Sequence, residues 1–278
     1  MNLKGLNQQH AYQEVCLFWD KHCQGEDEQP WQEWDYVFAM TALYKMKRYE
    51  DCLQLYREFH HAHPSSSLFD DRMGWAVYHV YLKGHDFKTG DNARYLKQVD
   101  FVLHHGKQGQ YSSVALIVGQ AVRAILSGWL GQKIDYQRAN EYLDHLDPKK
   151  LPQEERTYQQ DDGKMRRLAS EQEKWYAYKS KILLKLKQYD ACISCCDQAL
   201  AVINRFHTNN DAWISLRKIE ALIELDRTAD AKATLEHLLQ RPARHWKIDM
   251  LVYRGCCTAR PESWDARAVL RGNSVFPE

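Results

Sequence analysis

Clustered cysteines, histidines and carboxylates are the side chains of this sequence with the most chemical reach. Cys192, Cys195 and Cys196 have the spacing of half a metal or redox site, and Cys256-Cys257 would supply the other half. A zinc centre needs four ligands converging tetrahedrally, usually as closely spaced pairs on tight turns. These cysteines instead lie inside a helical pattern, in slots for small buried residues, where a free thiol packs as a small hydrophobe. Packing is therefore expected, and no metal. Cys16 and Cys23 are seven apart and share one helical face, which reads the same way.

His60-His61-Ala62-His63 and His104-His105 are the histidine clusters, but the His-Glu-x-x-His pattern of a helical zinc site is absent. The first cluster sits where a helix should end, and histidines there meet the negative end of the helix dipole. Capping or a solvent role is expected. Asp161, Asp162 and Lys164 with Glu173 and Lys174 resemble a nuclease carboxylate–lysine set. Such sets are held on a sheet edge, and no strand pattern is legible, so a solvated charged loop is expected. Gly128-Trp129-Leu130-Gly131-Gln132-Lys133 is too short for a phosphate-binding loop. No Gly-x-Ser-x-Gly elbow or kinase signature is present either. No catalytic residue and no cofactor are expected.

The elements that would position these groups read as helices. Trp34, Tyr36, Ala39, Met40, Leu43 and Tyr44 are spaced for one helix, closed by Lys45-Met46-Lys47-Arg48. A second starts at Tyr49, carries Cys52, Tyr56 and Phe59, and ends near Pro64. Helix, short basic turn, helix and proline make an αα-hairpin. The pattern returns at Trp175 to Leu200, with the second helix starting at Tyr189, and at Asp211 to Pro242. A weaker copy covers Tyr111 to Leu146, Leu68 to Leu103 reads as two helices that depart from the repeat motif, and residues 243–256 would add one further helix. Few glycines and prolines, thirteen and seven in 278 residues, fit long helices with short turns.

The segment Trp34–Pro64 resembles the tetratricopeptide repeat, a unit of about 34 residues. Tyr36, Ala39, Tyr49, Cys52, Tyr56, Phe59 and Pro64 fall in register with it, Cys52 taking the slot usually filled by alanine. The resemblance implies an all-α solenoid of αα-hairpin repeats, a right-handed superhelix in which each pair buries its apolar face on its neighbours. The expected organisation is an N-terminal sub-array over 1–147, a charged loop over 148–170, a C-terminal sub-array over 171–257 and a tail over 258–278. A second resemblance rests on the helix Met73–Leu82, the charged loop ending Asp162-Gly163-Lys164, and Leu168 to Lys174 opening a helix. It is to bacterial repeat proteins of conflict or defence loci, some joined to a cold-shock-like domain; no such domain is visible here.

In that repeat family first helices line the concave face, so the resemblance implies a partner groove at Trp34, Val37, Thr41, Tyr44 and Lys45. In the later units it implies Lys174, Ala177, Lys181, Lys185, Trp213, Leu216, Glu220 and Glu224. Lys174, Lys181 and Lys185 step by seven and four and form one basic stripe. That stripe would steer an acidic segment, or else be a solvated face, and Trp213 would be an anchor or a core residue. The lysine and asparagine set with which some members clamp a terminal carboxylate is not reproduced.

The net charge of +1, from 38 basic and 37 acidic residues, does not favour direct nucleic-acid binding. No apolar run approaches the roughly 18 residues of a membrane span, and Met1–His10 lacks the apolar core of a secretory signal, so a cytoplasmic location with reduced thiols is expected. The expected function is a non-enzymatic scaffold or adaptor that binds another protein or peptide, with self-association as a variant. The alternatives are a regulatory partner of a nucleic-acid-linked defence effector, and a cysteine- or metal-dependent enzyme.

Overall fold

Amphipathic stretches bounded by caps become helices that pack on their sequence neighbours. The computed structural model describes residues 3–26, 30–106, 112–130, 133–154, 156–159, 163, 165–202 and 210–239. The chain divides into two compact units, Met1–Ala121 and Val122–Glu278. The first holds α1 (Leu3–Gln8), α2 (Tyr12–Cys23), α3 (Glu33–Lys45), α4 (Tyr49–Ala62), α5 (Asp70–Val77), α6 (Asn92–His105) and the start of α7 (Ser112–Leu126). Helix α5 runs on into one π-helical turn, Tyr78–Leu82. The second unit holds α8 (Tyr136–Asp144), a short 3-10 turn at Pro148–Lys150, strands β1 (Arg156–Gln159) and β2 (Met165–Leu168), then α9 (Glu171–Lys185), α10 (Tyr189–Val202), α11 (Asn210–Glu224) and α12 (Thr228–Leu239).

The pair β1–β2 departs from the strandless loop expected over 148–170. It is antiparallel, from Arg156 opposite Leu168 to Gln159 opposite Met165. Backbone pairing needs no apolar period, so its sequence carried no alternation to read. Gly163, at φ +79°, supplies the left-handed residue of the connection, and Gln159 donates to its carbonyl at 3.2 Å. Helix α8, in the stretch assigned to the N-terminal sub-array, lies in the second unit and packs on α9. The helix expected over 243–256 and the tail 258–278 fall outside the described residues.

Three hairpins, α3–α4, α9–α10 and α11–α12, turn by the same backbone device. Lys47, Lys187 and Asp226 adopt left-handed φ values of 61°, 59° and 59°, each two residues before its second helix. Arg48 N donates to Leu43 O at 2.9 Å, Gln188 N to Leu183 O at 2.9 Å and Arg227 N to Leu222 O at 2.8 Å. The residue before donates to the carbonyl three back, which completes a Schellman motif and satisfies carbonyls a helix end leaves open. Four residues past each of these donors the second helix buries a small side chain completely: Cys52, Cys192 and Ala231. Ala139 of α8 holds the same place relative to its cap, Asp135. Small residues let paired helices approach closely, as expected for Cys52.

Side-chain caps set the starts of α6, α8 and α9. Asp91 accepts from Arg94 N, Asp135 from Arg138 N, and Ser170 Oγ from Glu173 N at 3.1 Å. In the first unit Asp71 of α5 accepts from Ser113 N at 2.9 Å and so caps α7, and Trp75 Nε1 donates to Ser112 Oγ at 3.3 Å. Gly74 lies so close to Ser113 that any Cβ there would collide with it. First helices also meet directly: α3 packs on α5 and α9 on α11.

Candidate partner-binding surfaces

The expected groove residues of the first unit lie on an aromatic surface. Trp34 is 64% exposed and leans on Phe38, ring centroids 6.3 Å apart. Tyr44, at the end of α3, meets Tyr49 of α4 edge to face at 5.6 Å. Tyr49 stacks on His79 at 4.3 Å and an interplanar angle of 5°, and Trp75 lies 6.4 Å from His79. These rings are half-buried. The π turn carries His79 and Tyr78, the latter edge-on to Trp75; such turns recur at functional sites.

Three lysines flank this column. Lys45, Lys47 and Lys83 are exposed, and among the described residues none of them is in an ion pair. Burial, then the charges of Lys83 and Lys47, hold the His79 imidazolium acid below the usual histidine range. Asp71, whose charge reaches Tyr44, is already engaged by the α7 backbone. Arg48 is committed elsewhere, to Asp20 and Asp51 at 2.6 Å each.

In the second unit one lysine of the stripe is paired. Lys174 pairs with Glu171 at 2.9 Å. Lys181 is half-buried and Lys185 exposed. Glu220 of α11 is part-buried; burial raises its carboxyl pKa, while Lys185 opposes that shift. The face is thus of mixed sign. Trp213 is half-buried and packs on the core of α9–α12.

Three polar ties in this unit join residues far apart in sequence. Arg217 of α11 donates to Ala177 O at 2.7 Å and Ser180 Oγ at 3.0 Å on α9. Lys179, only 8% exposed, reaches Asn140 Oδ1 at 2.7 Å and pairs with Asp144 on α8. Trp175 Nε1 donates to Leu143 O at 3.0 Å, so this tryptophan anchors α8 to α9.

The chemical candidates distribute as follows. Cys192, Cys195 and Cys196 are buried in the core, where Cys192 Sγ donates to Ser180 O at 3.4 Å. Burial and Cys192 hold the Cys195 thiol up at about 12. Cys16 is buried, whereas Cys23, at the uncovered end of α2, is exposed. Among the described residues no three of His, Cys, Asp or Glu converge as metal ligands. Cys256, Cys257, Asp161, Asp162 and Lys164 fall outside the described residues. Glu173 is buried in the first turn of α9.

The histidine clusters do lie in the last turns of their helices, and the structure also brings them together: His60 and His105 are 5.4 Å apart, ring to ring. No described helix is long and apolar enough to cross a membrane. Among the described residues the fold is helical, its helices packing neighbour on neighbour, with one small hairpin of strands. No protein-family model matches the chain, and no curated protein matches it.

Proposed function

We propose that this chain is a non-enzymatic scaffold that holds a segment of a partner protein against the exposed faces of its first helices. The observation that carries this reading is the repeated hairpin turn at Lys47, Lys187 and Asp226. Each turn folds a second helix back on its first, and α3 also touches α5 while α9 touches α11. Stacked pairs of this kind resemble tetratricopeptide repeats and build extended concave surfaces. Aromatic side chains on such a face supply most of the binding energy at an interface, and Trp34 is the most exposed tryptophan of the described surface.

The test is affinity capture with the immobilised chain, identification of the partner by mass spectrometry, and titration of that partner in pure form. The double variant Trp34→Ala/Tyr44→Ala is expected to weaken binding about tenfold or more, with an unchanged melting transition. A purified partner that binds the variant as tightly as the parent overturns the placement of the surface.

A further inference from the structure

The basic stripe legible in the sequence lies on α9, where Lys174 pairs with Glu171 and Lys185 lies near Glu220. Three exposed lysines that are in no ion pair among the described residues lie in the first unit, around the aromatic column. Lys45 and Lys47 leave the end of α3, and Lys83 follows the π turn that carries His79. Lys47 and Lys83 both act on the His79 ring. Tyr44, Tyr49 and Trp75 contribute half-buried ring surface, and Met46 is exposed between the two α3 lysines.

We propose that Lys45, Lys47 and Lys83, with the column Tyr44–Tyr49–His79, are the docking surface for an acidic peptide segment of a partner, one whose carboxylates alternate with apolar or aromatic side chains. This rests on the scaffold reading and names the class of segment it takes. The physical division of labour is simple. Unpaired lysines steer and register the carboxylates, and the rings give apolar side chains an adhesive floor. A single-stranded nucleic acid is the lesser fit. Its phosphates need many cationic contacts, and the whole chain carries only +1. Its bases also need open ring faces, whereas Tyr49 and His79 already stack on each other.

Fluorescence anisotropy on the full chain decides the matter with three labelled probes. They are a short peptide alternating Asp or Glu with Phe or Leu, the same peptide with Asn and Gln for its acids, and oligothymidylate. The acidic peptide is expected to bind, more weakly as salt rises. Lys47→Glu/Lys83→Glu is expected to weaken it about tenfold or more, while Lys174→Glu/Lys185→Glu leaves it unchanged. Because Lys47 sits in a left-handed turn, Lys45→Glu/Lys83→Glu repeats the measurement without touching that turn. Equal binding by these variants, equal binding of the amide peptide, or no acidic-peptide binding each overturns the proposal. Preferential binding of oligothymidylate replaces the peptide with a nucleic acid. If a partner is captured and confirmed as described above but the acidic probe fails, the scaffold reading stands and this one falls.

Discussion

Arg217 of α11 donates to the backbone carbonyl of Ala177 in α9, across 2.7 Å, and the same nitrogen reaches Ser180 Oγ at 3.0 Å. This ties two first helices together without passing through the helix between them. Its hydrogen bonds to Ala177 O and Ser180 Oγ explain why an arginine is tolerated there. Burial lowers its pKa.

Replacing Arg217 with Met is expected to cost roughly 1–3 kcal/mol, because charged-group hydrogen bonds are lost while the aliphatic stem is kept. Arg217→Ala should cost more, by the added cavity. Urea midpoints at constant slope measure both. A neutral Arg217→Met would mean that the tie adds nothing to the stability of the second unit.

Left-handed φ angles at Lys187 and Asp226 favour glycine. Lys187→Gly and Asp226→Gly are expected to leave stability unchanged or raise it by up to about 1 kcal/mol each. Lys187→Val, β-branched at the same φ, is expected to lower it. A loss on both glycine substitutions, followed by thermal melting, would contradict the turn geometry.

Cys52 and Cys192 are fully buried at equivalent helix–helix crossings where Ala139 and Ala231 stand in other helices. Alanine at either cysteine is expected to cost no more than about 1 kcal/mol, whereas leucine should cost about 1–3 kcal/mol through overpacking. Denaturant unfolding of the four single variants gives the comparison. A leucine as mild as alanine would remove the close-approach argument.

Stability should fall on both sides of neutrality. Burial, His104 and His60 hold the pKa of His105 below its ordinary value of 6.5. The unfolded chain therefore binds more protons than the folded one as pH drops through 6.5, and stability declines there. On the alkaline side, burial pushes Cys52 to about 12 from 9.0. The unfolded thiol ionises first, so stability declines as pH rises through 9 towards 12. His105→Gln should flatten the acid limb and Cys52→Ala the alkaline limb of a melting-temperature profile; an unchanged profile in either variant refutes its assignment.

Much of the helical framework was legible because its signals are local. Apolar spacing around Tyr49 and Tyr189 and the basic turns before them mark helix starts, and Cys52 and Cys192 read as small buried residues. What escaped depends on distant partners or on backbone conformation. Lysine is not a residue type that announces a left-handed turn, so nothing in the sequence marks Lys47 or Lys187 as one. Lys179 is buried only because Asn140 and Asp144 on another helix receive it. The histidines of α4 and α6 are far apart in sequence, and their meeting follows from the packing of intervening helices. The candidate surface was legible in part. Tyr44 and Lys45 followed from repeat register, but the stack of Tyr49 on His79 needed the π turn, which no spacing rule foretells.

Backbone hydrogen bonds, rather than particular side chains, shape the bends at Lys47, Lys187 and Asp226. Substitution on the outer faces of these helices is thereby uncoupled from the geometry that sets one helix beside the next. Such a frame lets new binding preferences be written onto it one residue at a time, with the spacing of neighbouring rods left as it was.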